Sequence, residues 1–461
     1  MRRTAIAFLL VTPLASAQVL VAPAQLARVR RNFEARPGDT SLRCEVTPLA
    51  PALNFAFRFQ AGYSFHVPQS QYSGPTRGWS VLTAVTPEDG AGVATYLLAR
   101  DQFLDASRVG GDFDIRGLYF LGVGRYAVES ILRDDRNRIC RKQWRIVVQT
   151  ARADRAVPLA LPPDTVRQFS ALDWPDIHHP DDASPMRLTV LLNAAAFSPR
   201  RSVLRPSDRM VLTGAVNSLL EHLPATSVRV VAFSLEQQRE VFRRDDFAPP
   251  DVSKLADAIV ALPLATVDVR VLQKPLGHVD FLAGLIAREL AAPHPADTVV
   301  FWGPTSRYGS AIPKGALATP AGAQTRFYYL RYEGPRRPPA PSPIEIQVDN
   351  PTSSGTPGGT APGDGSASSS GTTQPAPPRP PPSQGSGGTG GSGGASMGGG
   401  GGGGAGGRGR GERGGLPPFP SPGEGQPDII TAAVARLKGK TLVIHTPAEL
   451  AKAIRKIEDK R

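Results

Sequence analysis

The densest set of potential metal ligands in the chain is DWPDIHHPDD, residues 173–182. It contains Asp173, Asp176, His178, His179, Asp181 and Asp182. Imidazole and carboxylate together suit Zn²⁺ or Mn²⁺. Neighbouring His side chains on an extended segment point to opposite sides, and Pro175 and Pro180 stiffen this one. The segment therefore reads as a polar linker. A secreted metal-dependent hydrolase using it, with His278 and Asp280 of the Gly277-His278-Val279-Asp280 stretch, is the alternative. Other chemistries lack their motifs. A serine hydrolase needs its nucleophile on a sharp strand-to-helix turn, and outside the glycine-rich run at 390–398 GxSxG is absent. The P-loop and a GxGxxG opening a helix are absent too, which removes the usual phosphate cradles. His66 is the lone histidine of its region and reads as structural. The expectation is a non-enzyme with no catalytic residue, cofactor or functional metal.

The compartment is read from the leader. Residues 1–17, MRRTAIAFLLVTPLASA, place Arg2 and Arg3 before a short apolar core, with Ala15 and Ala17 at the end. This predicts a Sec signal peptide cleaved after Ala17 and a secreted or periplasmic protein. In an oxidising compartment the two cysteines, Cys44 and Cys140, read as a candidate disulfide, with two buried thiols as the alternative. No later apolar run reaches the ~18 residues of a membrane span.

The formal net charge is +13. Arg and Lys are interleaved with acids, and the densest cluster is Arg133, Arg136, Arg138, Arg141, Lys142 and Arg145. That cluster reads as a solvated hairpin face. Nucleic acid is not expected as a partner of an exported chain, whereas a cell-surface polyanion is conceivable. Gly407-Arg408-Gly409-Arg410 reads as spacer.

Twenty-eight of the 48 glycines lie between 351 and 426. Residues 337–426 run from Pro-rich to nearly pure Gly, a composition that cannot bury a core and predicts disorder. Without that stretch and the leader, about 354 residues remain, enough for two domains at ~150 residues each. Residues 18–155 alternate with period two. Phe55, Phe57 and Phe59 share a face of NFAFRFQ, and GRYAVESILRD, DDRN and ICRKQWRIVV read as a hairpin. This predicts an all-β sandwich, followed by a linker at 156–180. From 181 to 336 and again from 427 to 461, strands alternate with helices. MRLTVLLN is a doubly buried strand, Ser207 a helix cap, QQREVF an antiparallel partner and Thr446-Pro447-Ala448-Glu449 a capping box. These pieces predict an α/β fold of Rossmann type, a mostly parallel sheet with helices on both faces. The glycine-rich stretch is an insertion within it, a lengthening that costs only ~2.5 kcal/mol in loop closure.

The Gly-x-Tyr-x-Val pattern at Tyr126 resembles a late strand of an immunoglobulin-like domain, although Trp144 follows the second cysteine. The segments LLEHLPATSVRVVAFSLEQQREVF, GHVDFLAGLIAREL, ADTVVFWGPTSRYG and VIHTPAELAKAIRKI resemble secreted bacterial proteins with a von Willebrand factor A-related domain. That resemblance implies a metal-dependent adhesion site built from an Asp-x-Ser-x-Ser loop, a Thr and a further Asp. The matching positions here are Asn193, Ala195, Phe197 and Gly303, so the site is degenerate. What remains at the strand ends is a neutral, partly aromatic surface of Asn193, Phe197, Trp302, Pro304, Arg307 and Tyr308. Such an edge suits a protein partner. The reading is thus an exported protein-binding or scaffold protein. Its alternatives are the hydrolase above and a surface polysaccharide-binding protein.

Overall fold

Period-two alternation builds the first lobe. The computed structural model describes residues 18–34, 40–72, 77–89, 92–103, 112–169, 186–198, 203–248, 250–264, 271, 273–274, 276–306, 308, 312, 317, 324–334 and 428–459. The leader, the 173–182 cluster, Arg307 and the insertion lie outside them. All the described residues belong to one compact unit.

One sheet of the lobe contains β1 (Val19–Leu20), β2 (Thr40–Ser41), β5 (Arg77–Pro87), β6 (Thr95–Phe103), β8 (Gly124–Asp134) and β9 (Arg138–Val148). Its order is β1-β6-β5-β8-β9-β2. The other contains β3 (Glu45–Leu53), β4 (Phe59–Val67), β7 (Phe113–Leu121) and β10 (Val166–Gln168), in the order β10-β7-β4-β3. Alternate residues of both sheets, among them Phe65, Tyr119, Val81, Val128 and Trp144, form one core, as in a sandwich. Tyr126 keeps its phenol satisfied there by donating to the Gly122 carbonyl at 2.9 Å. A helix the alternation did not reveal, α1 (Pro23–Phe33), lays Val29 and Phe33 on Leu82 and Ile131 of the six-stranded sheet.

Cys44 and Cys140 form a disulfide, with Cα atoms 6.3 Å apart. Cys44 stands just before β3 and Cys140 lies in β9, so the bridge ties one sheet to the other despite its long sequence separation. The disulfide fits an extracellular protein. Among the described residues no helix is long and apolar enough to cross a membrane.

Two expectations change here. Residues 54–58 are a turn between β3 and β4, not part of a strand, and Phe57 takes a φ of 55°. Asn54 folds the turn by accepting the amides of Ala56 at 3.0 Å and Arg58 at 3.1 Å on its side-chain oxygen, an Asx-type closure that competes with strand pairing. Residues 166–168, expected as linker, pair antiparallel with β7 and carry the first lobe to Gln168.

The second lobe is an alternation of strands and helices. Its strands are β11 (Met186–Asn193), β12 (Ala225–Ser234), β13 (Arg239–Arg244), β14 (Thr298–Pro304), β15 (Arg326–Tyr332) and β16 (Lys440–Ile444). They form one sheet, β13-β12-β11-β14-β15-β16. Every pairing is parallel except β12 with β13. β16, beyond the insertion, completes the sheet against β15.

Helices α2 (Pro206–His222), α3 (Asp251–Val260) and α6 (Pro447–Glu458) cover one face, through Leu219, Leu255 and Ile454 against Val190, Val230 and Leu330. Helices α4 (Gly277–Leu290) and α5 (Ile429–Arg436) cover the other, through Leu282, Ile286 and Val434 against Leu191, Phe233 and Tyr329.

The expected caps are placed partly as read. Thr446 accepts the Glu449 amide, and Glu449 reaches back to the amide of His445, one residue further than in a reciprocal box. At α2 the cap is not Ser207. Pro206 takes the first position and Asp208 accepts the Arg205 amide at 3.2 Å, leaving Ser207 to donate to Asp208.

The lobes share a core through the β3–β4 turn. Phe55 and Phe57 are buried among residues of the second lobe. The Phe55 ring lies 6.0 Å from Trp302 and 5.4 Å from Tyr332, and Ser218 of α2 donates to the Phe55 carbonyl at 2.7 Å. Phe57 is 0% exposed and packs its ring 5.3 Å from His222.

Candidate functional site

A parallel sheet in this order turns its two halves in opposite directions between β11 and β14, and a crevice opens beyond the carboxyl ends of the strands at such a point. Here a cavity of about 320 Å³ lies at that edge, lined by Phe197, Pro304, Thr305, Tyr332, Glu333 and Gly334 among others. Phe197 and Tyr332 form its aromatic wall, with ring centroids 4.6 Å apart at 50°.

The polar side belongs to the end of β15. Arg331 pairs with Glu333 at 2.5 Å and stands 3.7 Å from Asp428. Asp428 caps α5 by accepting the amides of Ile430 and Thr431, both at 3.0 Å. Burial nonetheless pushes its carboxyl above the ordinary aspartate range. The His445 Nδ1 bonds the Gly334 carbonyl at 2.7 Å; a carbonyl only accepts, so the proton sits on Nδ1. The Nε2 then faces Glu333 at 3.8 Å. Arg331 and His445 thus hold both described flanks of the insertion, Asp428 and Gly334, beside the crevice.

The sequence-derived surface does not exist as one face. Trp302 is 0% exposed and donates its indole N–H to the Leu212 carbonyl at 3.1 Å, because as a β14 residue it points into the core under α2. Asn193 is also buried, and its amide donates to the Pro304 carbonyl at 3.3 Å. Phe197 packs on the α2/α6 side of the sheet, while Tyr308 packs on the α4/α5 side. Tyr308 stacks on His278 at 4.2 Å. Arg307 lies outside the described residues. Of the described members of the expected set, only Phe197 and Pro304 reach the crevice. Tyr332, Glu333 and Thr305 were missed. Tyr332 was legible as the end of RFYYLRY, but nothing in that run says the strand stops at a cavity.

The expected metal positions offer no donor set. Ala195, Phe197 and Gly303 have no side-chain oxygen, and Asn193 offers one neutral amide where a hard divalent cation wants carboxylates and hydroxyls. The space is also closed. At Gly303, where φ is 145°, a Cβ would sit 2.7 Å from the Asn193 carbonyl oxygen and 2.9 Å from its Cβ. These residues do not fit a divalent metal. Among the described residues no group of three or more His, Cys, Asp and Glu side chains could hold one. Gly303→Ala is accordingly expected to destabilise the protein by ~1–3 kcal/mol, since backbone must shift to admit the methyl group. Denaturant titration checks this, and a midpoint equal to the parent's would contradict the close approach.

The basic cluster of the first lobe is largely spent on internal partners. Arg133 is buried and donates to the Asn32 carbonyl at 2.9 Å and Asn137 at 3.0 Å. Arg138 pairs with Asp134 at 2.7 Å, Arg141 with Glu129 at 3.3 Å and Arg145 with Glu88 at 2.8 Å. Four of the cluster's guanidiniums are thus engaged within the lobe, which weakens the case for a polyanion-binding face.

No family model matches the chain, and no curated protein matches it. Among solved structures it is similar to a Bacteroides uniformis beta-glucuronidase, with 10% identity over 64% of this chain and a TM-score of 0.16. The match spans 36% of that enzyme's chain, a likeness too slight to carry the enzyme's fold or activity over to this protein.

Proposed function

We propose that the protein is an exported, non-catalytic binding or scaffold protein. In this reading the second lobe is a von Willebrand factor A-like module that has given up its metal and engages a protein partner at the crevice beyond β11, β14 and β15. The observation that carries the reading is the chemistry of that edge. Phe197 stands where the family would place a hard oxygen ligand, and with Tyr332 it makes that edge an aromatic wall. The order β13-β12-β11-β14-β15-β16, with one antiparallel edge strand, supports the family assignment. Aromatic side chains lining a concave site are the usual anchors of a protein–protein contact. Glu333 is already neutralised by Arg331, so the crevice selects by shape and apolar contact more than by charge.

The test joins metal response to partner capture. Neither Mg²⁺, Ca²⁺ nor EDTA is expected to move the thermal midpoint. A photocrosslinker at the exposed Thr305 is expected to trap a defined protein in cells that export the chain, and Phe197→Ala is expected to lose that product. A midpoint raised by Mg²⁺ or Ca²⁺ would overturn the metal-free reading. An unchanged crosslink in Phe197→Ala would remove the crevice as the contact.

A further inference from the structure

A second cavity lies at the seam between the lobes and has no part in the crevice described above. Its volume is about 320 Å³, and both lobes line it. The β3–β4 turn supplies Phe57, the segment after β9 supplies Arg155 and Val157, α2 supplies His222, and α6 supplies Ile454 and Arg455. The floor is apolar, because Phe57, Val157 and Ile454 are each 6% exposed or less. The rim is cationic. Arg155 and Arg455 are exposed, and neither guanidinium has an ion-pair partner among the described residues. Glu458 is the only carboxylate in the lining.

His222 adds a hydrogen-bonding atom left without a partner. Its ring lies 5.3 Å from Phe57, and its Nε2 is buried without a hydrogen-bond partner. Burial holds the imidazole below the ordinary histidine range. Phe57 itself is held at a φ of 55°, a strained conformation for a non-glycine residue that recurs at ligand clamps. Domain seams are a preferred place for small-molecule sites, and their usual chemistry is an apolar body with a few convergent polar groups.

We infer that this seam cavity binds a small amphipathic monocarboxylate. The apolar body lies against Phe57, Val157 and Ile454, and the carboxylate is clamped by Arg155 from one lobe and Arg455 from the other. A guanidinium presents paired N–H donors that match a carboxylate. With Glu458 set against the two guanidiniums, the empty cavity keeps a single positive charge, which a monoanion neutralises and a phosphate dianion exceeds. A ligand held by both lobes staples them together, so binding stabilises the folded chain by mass action.

The experiment is calorimetric titration of the full chain with hexanoate and phenylacetate. The amides hexanamide and phenylacetamide, and inorganic phosphate, serve as comparisons. The carboxylates are expected to bind and to raise the thermal midpoint. The amides should bind at least about tenfold more weakly, the loss of one charge-assisted hydrogen bond. Arg155→Gln and Arg455→Gln, both at exposed positions, are each expected to weaken the carboxylates by about tenfold or more on the same ground. A preference between hexanoate and phenylacetate identifies an aliphatic or aromatic source. The inference is overturned by no binding of either acid at millimolar concentration, by equal affinity for acid and amide, by phosphate binding more tightly than either acid, or by affinities that both glutamine variants leave unchanged.

Discussion

Replacing Cys44 and Cys140 together by alanine is expected to cost about 4–5 kcal/mol of stability toward chemical denaturation. The two residues are 96 positions apart in the chain. A cross-link closing so long a loop removes a large share of the conformational freedom of the unfolded chain, which is where most of its effect arises in the chain-entropy description. The folded state adds a second contribution. Cys140 is 5% exposed within the sandwich core, which also holds Val81, Leu132 and Trp144. Alanine keeps that site apolar, so the measured loss reports mainly the cross-link. Against an ordinary stability of ~5–15 kcal/mol the loss is about a quarter or more. Guanidinium unfolding of the parent, with and without reductant, and of the double variant provides the check. Reduced parent and double variant should agree. A reduced protein that unfolds at the midpoint of the oxidised one would show that the bridge contributes nothing.

The second lobe was the more legible part of the molecule. MRLTVLLN and RFYYLRY were readable as strands because buried parallel strands are apolar nearly throughout, and both occupy the ranges read for them. The antiparallel β13 was readable from the short turn before it. The first lobe misled where local chemistry competed with alternation. Phe55, Phe57 and Phe59 have strand spacing, yet only Phe59 is in a strand. Asn54 turns the backbone, and the first two rings find their burial in the other lobe. Period two specifies which residues leave water, not which core receives them. The candidate site failed for a related reason. Asn193 and Trp302 do lie at strand ends, but exposure there depends on what packs above, and Phe55 from a segment well over 100 residues away fills the space beside Trp302. Glu333 and His445 meet across the insertion, a pairing no spacing rule contains.

Phe57→Ala is expected to cost ~3–5 kcal/mol and to loosen the two lobes from each other. The size follows from removing a fully buried ring from a core that relaxes only in part. The ring is the seam's own packing, because it sits against His222 of α2 and over the cavity lined by Ile454 of α6. The backbone gives the prediction a second edge. Phe57 has a φ of 55°, and its carbonyl accepts the Ala160 amide at 3.1 Å, so the turn is held in the left-handed region by bonds that remain in any variant. Alanine keeps that strain, whereas glycine is free of it. Phe57→Gly should therefore be no less stable than Phe57→Ala, although glycine elsewhere is the weaker residue by roughly 0.5–1 kcal/mol. Calorimetry reads both effects. The parent is expected to melt in one transition, since Phe55 and Phe57 make its lobes share a core, and both variants are expected to melt in two. If the alanine variant melts in a single transition at the parent's midpoint, the turn does not couple the lobes. If glycine is the less stable of the pair by its usual margin, the left-handed turn stores no strain.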